Sequence, residues 1–298
     1  MQDRRNFVKQ SGTLALGSLV VSQIAGLGEL SKRRKMGMQL FTLFPGLDEN
    51  VTAGLQKVAD IGYKEIESAF SMKGGYYGMK PKEFKALLNK MDLHWRSHHV
   101  MGAPLKPIPN FDITKLPKMN TLKNEAQQIM DELAEGDLKY VVCANYPFDT
   151  LDEWKQGLEV LNKAGELAKK AGLTLAYHNH DKEFELLEGA KPYDLLLAQT
   201  DSELVKMELD LAWVTKAGVD PVALFEQHPR RFPLWHVKDI DKDFKELKPV
   251  GEGSIDFIRI FNAAKTAGLK HFFVEHDMPA KPYESLTSSF KYLRSILK

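Results

Sequence analysis

Cysteine is nearly missing from this chain: Cys143 stands alone among 298 residues. One thiol forms no internal disulfide, so no bridge supports the fold, and it does not anchor a structural zinc by itself. An excess of one charge is also missing. The 41 basic residues almost cancel the 40 acidic ones, for a net charge of +1, which excludes a nucleic-acid binder that works by bulk charge. The apolar run near residues 12–27 is short and broken by glycine, whereas a membrane span needs ~20 apolar residues. No G-x-G-x-x-G follows the first strand-like segment, so the main dinucleotide-binding signal is absent. No short internal repeat is visible. What remains is 43% hydrophobic and 27% charged residues, the composition of one large or two small globular domains.

The N-terminus reads as an address. Asp3-Arg4-Arg5-Asn6-Phe7-Val8-Lys9 precedes the apolar run, and small residues follow near Ala25. A basic start, an apolar middle and small residues describe an export signal, and the adjacent Arg4 and Arg5 resemble the twin-arginine type. Residues 1–32 are therefore expected to direct export to the periplasm, with membrane contact only through this segment if it stays uncleaved. Residues 33–298 are expected to form the folded domain.

Beyond the signal, short strand-like runs alternate with helical stretches. The strand candidates are Met38–Leu43, Lys64–Ser68, His94–Val100, Lys139–Asn145, Leu173–His180, Val205–Leu211, Pro233–Lys238 and His271–His276, rich in β-branched, aromatic and leucine residues. Leu55, Val58 and Ile61 mark one helical face, and Trp154, Leu158, Leu161, Ala164 and Leu167 mark another. Pro81, Thr150, Asp152 and Asp220-Pro221 signal helix starts. Eight such units predict a single (β/α)8 TIM barrel, which typically takes ~250 residues; a doubly wound open sheet is the alternative. The proline-bearing stretch Met101–Leu122 is long for a structureless connection, a length that usually marks a functional loop or lid.

Chemistry in such a barrel sits at the C-terminal strand ends. There the sequence reads Ser97-His98-His99, Tyr177-His178-Asn179-His180-Asp181, Glu208-Leu209-Asp210, Trp235-His236-Val237-Lys238-Asp239 and Val274-Glu275-His276-Asp277. Residues two apart share a strand face, so His178 goes with His180 and His236 with Lys238. His178, Asp210, His236 and Glu275 then converge from four successive strands. Two imidazoles and two carboxylates suit one divalent ion, and Mn, Mg, Zn and Co all accept such a set. Lys238 is a candidate to stabilise an oxyanion, Glu183 a candidate base on the loop past His178, and His99 and His180 candidates to bind substrate. Trp213, with Trp154, Trp235 and Phe70, offers an aromatic face for stacking.

These residues resemble the sugar isomerase/epimerase-like barrels of the xylose isomerase-like superfamily. The resemblance rests on Gly37-Met38-Gln39-Leu40, Gly62-Tyr63-Lys64-Glu65-Ile66-Glu67, Leu209-Asp210-Leu211-Ala212-Trp213, His236-Val237-Lys238-Asp239 and Val250-Gly251-Glu252-Gly253-Ser254-Ile255-Asp256-Phe257. It implies a metal held by a Glu, an Asp, a His and a second Glu. Asp210, His236 and Glu275 match three of these, His178 stands where the first Glu is expected, and Trp213 stands where epimerases often carry a His. The resemblance further implies that Glu275 both binds metal and acts as base.

The expected activity is that of a divalent-metal-dependent sugar isomerase or epimerase, working by proton abstraction next to a carbonyl and a metal-stabilised enediolate. A lyase or hydratase acting on keto-sugars or keto-glycosides needs the same metal site and is the alternative. The substrate is expected to be a small sugar or glycoside. A three-zinc endonuclease is disfavoured by Trp213 and the neutral charge, so no nucleic-acid partner is expected. A non-catalytic periplasmic sugar-binding protein is the remaining rival.

Overall fold

The structure, a computed structural model, describes residues 35–107 and 112–297. The expected signal, Arg4 and Arg5 included, lies outside the described residues, as do residues 108–111 of the long loop. Eight parallel strands close into a barrel: β1 (Gly37–Gln39), β2 (Glu65–Ser68), β3 (His94–Met101), β4 (Tyr140–Asn145), β5 (Thr174–His178), β6 (Val205–Asp210), β7 (Leu234–Val237) and β8 (His271–Val274). They neighbour one another in chain order, and β8 pairs back onto β1. The barrel, not the open sheet, is the architecture. No helix among the described residues is long and apolar enough to cross a membrane.

The helices form where the sequence signals them. Thr150 accepts from the Glu153 N–H and starts Leu151–Lys170, whose Trp154, Leu158, Leu161 and Ala164 are buried. Asp220 accepts from Val222 N–H, with Pro221 in the first turn of the next helix. Gly62, at φ 119°, ends Val51–Ile61 in a left-handed turn that a side chain would strain.

Several strands are shorter than the sequence suggests, and each shortening serves the site. The first ends at Gln39, not Leu43: the Gln39 side chain accepts from Phe41 N–H and turns Leu40–Leu43 into a 3-10 helix. The fifth ends at His178, leaving Asn179 and His180 on the loop. The sixth ends at Asp210, which caps the helix Leu211–Lys216. Lys238 and Glu275 fall one residue past β7 and β8.

Inside the barrel, Val142, Ala176, Leu234 and Phe273 form a small apolar plug. A Cβ on Gly37 would come 2.5 Å from the Phe273 ring, so the phenyl fits because that position is bare. Above this plug the interior is polar, with Gln39, Glu67, Ser97, Glu208 and His236 all buried. The Gly251–Ile255 loop has a structural task. Asp239 accepts from the N–H groups of Gly251, Gly253 and Ile255 at 2.9, 3.0 and 3.2 Å, which fastens the loop to the end of β7.

Candidate metal centre and active site

The C-terminal strand ends bring His178, Asp210, His236 and Glu275 together, each with one ligand atom within 4.8 Å of the others. Strand pairing explains the convergence. His178 is in register with Glu208, and Asp210 with His236, so their side chains share the interior face. Asp210 divides its two oxygens. Its Oδ1 accepts from the N–H groups of Ala212 and Trp213, both at 2.9 Å; its Oδ2 faces the cluster. Burial pushes the Asp210 carboxyl up to about 6 despite Lys238 and His236 nearby.

His236 lies between two sets of carboxylates. Its Nδ1 is 2.7 Å from Glu275 and its Nε2 2.6 Å from Glu67 and 3.1 Å from Glu208. Burial works against charge on this ring, but Glu208 and Glu275 outweigh it and hold its pKa well above the ordinary value. With carboxylates at both nitrogens, the ring donates from both. Glu208 and Glu67 also accept from His99 Nε2, at 2.7 and 3.1 Å, and the His99 and His236 rings stack at 5.1 Å. Burial lowers His99, yet these two carboxylates raise it to about 9. Gln39 and Ser97 donate to Glu67 from behind, at 2.8 and 2.5 Å.

Lys238 is buried among carboxylates: Glu275 at 2.6 Å, Asp277 at 3.0 Å and Asp210 at 3.1 Å. Burial alone would lower its pKa, but the three acids hold it well above the ordinary value. In return, Lys238 and His236 overcome burial and keep the Glu275 carboxyl well below the usual carboxylate range. His178 is neutral, because burial and its cationic neighbours push its pKa far down.

The donor set fits a divalent ion. Among the described residues, His178 Nδ1, Asp210 Oδ2 and Glu208 Oε1 are buried without a hydrogen-bond partner. Asp210 Oδ2 is near Lys238 but outside bonding geometry. Unpaired buried polar atoms are costly, and two of these residues, His178 and Asp210, belong to the group above. A second group, His99, His178, Glu208 and His236, also meets the ligand spacing.

A cavity of about 460 Å³ opens above this floor and is lined by His99, His178, His180, Lys238, Glu275 and Asp277. Burial lowers His180 to about 4, so it is neutral. Two expected residues lie elsewhere. Trp213 is outside the cavity lining; its ring is 5.1 Å from the Lys238 ammonium. Glu183 borders a smaller neighbouring cleft of about 280 Å³ and accepts from Tyr177 O–H at 2.7 Å and His180 N–H at 3.0 Å. Of the other stacking candidates, Trp154 and Trp235 are in the core and Phe70 lines the cavity.

Sequence reasoning missed Glu67, Glu208 and Asp277. Glu208 was accessible by alternation, since it sits two residues before Asp210 on one face. Glu67, across the barrel on β2, carried no local signal.

A closed parallel barrel with histidines and carboxylates gathered at the C-terminal strand ends defines a class of TIM-barrel proteins with a site that could hold a metal. The chain belongs to the xylose isomerase-like TIM barrel family, whose sequence profile matches residues 55–296. The inosose dehydratase of Lacticaseibacillus casei is 24% identical over 279 residues, 84% of this chain and 91% of that one. The inosose dehydratase of Geobacillus thermodenitrificans is 26% identical over 181 residues, 54% of this chain and 60% of that one. A crystal structure of a sugar phosphate isomerase/epimerase from Parabacteroides distasonis is 28% identical, with a TM-score of 0.73 over 89% of this chain and 96% of that one.

Proposed function

We propose that this chain is a divalent-metal-dependent enzyme of the sugar isomerase/epimerase type, removing a proton next to the carbonyl of a sugar-like substrate. The observation that carries the reading is the convergence of His178, Asp210, His236 and Glu275, two of which, His178 and Asp210, carry a buried polar atom without a hydrogen-bond partner. An ion held there supplies Lewis-acid charge for a carbonyl and its neighbouring hydroxyl. Glu275, at the cavity floor, takes the proton. Lys238 keeps a fixed positive charge 2.6 Å from that carboxylate, where negative charge develops on substrate oxygen. His99 and His180, on either side of the His178 ring, both line the cavity and hold hydroxyls.

β-Elimination is the second reading, and His178 favours it. Epimerisation wants an acid/base group on each face of the substrate, and a neutral imidazole replaces the carboxylate expected on the strand-five side. Elimination needs one base and one acid. Glu275 takes the proton, the C–O bond at the β-carbon breaks with its electron pair leaving on oxygen, and the charged His99, which lines the cavity, gives that oxygen a proton and becomes neutral. Water is then lost, in keeping with the dehydratase names of two relatives.

Elemental analysis of the wild type, His236→Ala and Asp210→Ala is the first test. About one Mn, Zn, Co or Mg per chain, lost in both variants, is expected. Keto-sugars in deuterated water should then exchange the proton beside the carbonyl, and product mass separates isomerisation from loss of water. No metal in the reconstituted wild type sinks the reading. Residues 1–32 direct export to the periplasm in this proposal. Replacing Arg4 and Arg5 by lysine should strand the protein in the cytoplasm; a wild type that fractionates there already refutes the export reading.

A further inference from the structure

The cavity is two-sided, and the division follows the strand order. The polar groups His178, His180, Lys238, Glu275 and Asp277 come from β5, β7 and β8 and the loops behind them. The opposite wall comes from the loops after β1, β2 and β3, and it is apolar: Phe41, Phe70, Tyr76, Leu105, Leu116 and Met119. Phe41 stacks on Phe44 at 5.4 Å, and Phe44 meets Phe70 at 5.8 Å, so this wall is a fixed aromatic surface. Phe41, Phe70, Leu105, Leu116 and Met119 are all half-buried, with their remaining exposure available to a ligand. Three polar groups on this side are already committed. Ser71 is bonded to Asp48 at 2.5 Å, His98 to Ser68 at 2.8 Å and Glu132 to Tyr76 at 3.1 Å. His99, at the end of β3 and bonded to Glu208 and Glu67, borders the polar floor, and Lys118, Asn120 and Asn145 are the remaining polar lining residues on this side.

A free sugar can stack a C–H face on one ring such as Phe70, but its rim is polar all round, and a wall of six apolar residues is wider than that face. Set against this wall, its hydroxyls would lose water without gaining partners, which is unfavourable for each buried hydroxyl. A sugar bonded to an apolar group satisfies both sides at once. We infer that the substrate is a glycoside-like keto-sugar whose sugar ring lies over the β5–β8 floor and whose aromatic or similarly bulky apolar substituent fills the β1–β3 side. This inference rests on the sugar-acting reading above and names the substrate class for the same site.

Titration calorimetry on the full-length protein, with its metal content measured in parallel, tests it. The probes are methyl and phenyl β-D-glucopyranoside, each as the parent sugar and as its keto derivative. Burying a phenyl ring should make the phenyl compound at least about tenfold tighter than its methyl partner. Phe70→Ala and Leu116→Ala, on two different loops, should each shrink that preference to under about threefold, with circular dichroism confirming the fold. Equal affinities for methyl and phenyl compounds, no detectable phenyl binding, or a preference that survives both substitutions overturns the inference. A metal-free protein that keeps the preference would instead remove the catalytic reading and leave the apolar subsite standing.

Discussion

Glu208→Gln tests how the metal centre is held. In the structure His236 Nε2 faces two buried carboxylates, Glu67 at 2.6 Å and Glu208 at 3.1 Å, so the proton on that nitrogen is fixed. Nδ1 is thereby the nitrogen left to bind an ion beside Asp210 and Glu275. A glutamine at 208 removes one negative charge from a fully buried position. It can also turn an amide N–H₂ toward Nε2 and favour the wrong tautomer. Carboxylates behind a ligating histidine typically change metal affinity by about 10–100-fold, which is about 1.4–2.7 kcal/mol. Competition titration with a chelating dye should therefore show a Mn or Zn Kd raised by one to two orders of magnitude, with Glu67→Gln behaving alike. Thermal unfolding of the metal-free proteins separates this from general loss of stability. An affinity within about threefold of wild type in both variants, against the tenfold minimum expected, refutes the reasoning. So does a Glu208→Gln loss as complete as that of Asp210→Asn, because Glu208 would then be a ligand and the ion would sit in the His99–His178–Glu208–His236 group.

Three further outcomes follow from the same geometry. Burial raises Glu183 from an ordinary 4.5 to about 7, so the unfolded chain ionises first. The stability linked to this group is complete below about pH 4.5 and is lost as pH rises through 7, about 3 kcal/mol in all. Thermal midpoints of wild type minus Glu183→Gln at pH 5 and pH 8 should differ accordingly, and an identical pH dependence in both proteins argues against it. Metal uptake should release protons, since His236 donates from both nitrogens without the ion; calorimetry in buffers of different ionisation enthalpy reads the number. Gly253→Ala should lower stability by about 1–3 kcal/mol, because a Cβ there collides with the Asp239 carboxylate; an unchanged thermal midpoint contradicts that account.

The barrel was legible because its signals are local. Period-two runs, helix caps such as Thr150 and Asp220, and helix-ending glycines each act within a few residues. The end of each strand was less legible. Whether Leu40 continues a strand depends on the Gln39 amide reaching both Phe41 N–H and Glu67, and Glu67 is 28 residues away. The four metal-type residues were legible as candidates because each lies within one residue of a strand end. Glu67 was not, because its partners Ser97, His99 and His236 lie on three other strands, and only barrel closure makes them neighbours. Trp213 and Glu183 sit beside site residues without lining the main cavity: Trp213, in the helix that Asp210 caps, has its ring 5.1 Å from the Lys238 ammonium, and Glu183 accepts from His180 N–H.

The exchange at strand five explains the polar layer beneath the site. A histidine where the resemblance places a glutamate removes one negative charge from the ligand set. His178 stands in register with Glu208, whose carboxylate is 3.5 Å from His178 Nδ1 and fully buried. The charge is thus present one strand over, behind the ligands instead of among them. His99, raised to about 9, balances it when no ion is bound. His178→Glu alone would crowd two carboxylates against each other and should weaken metal binding. His178→Glu combined with Glu208→Gln moves the charge back to strand five and should restore much of the affinity lost in either single variant. Coupling of that sign in a double-mutant cycle is the signature of one charge shared between two strands. Additive losses would mean that the two positions act independently.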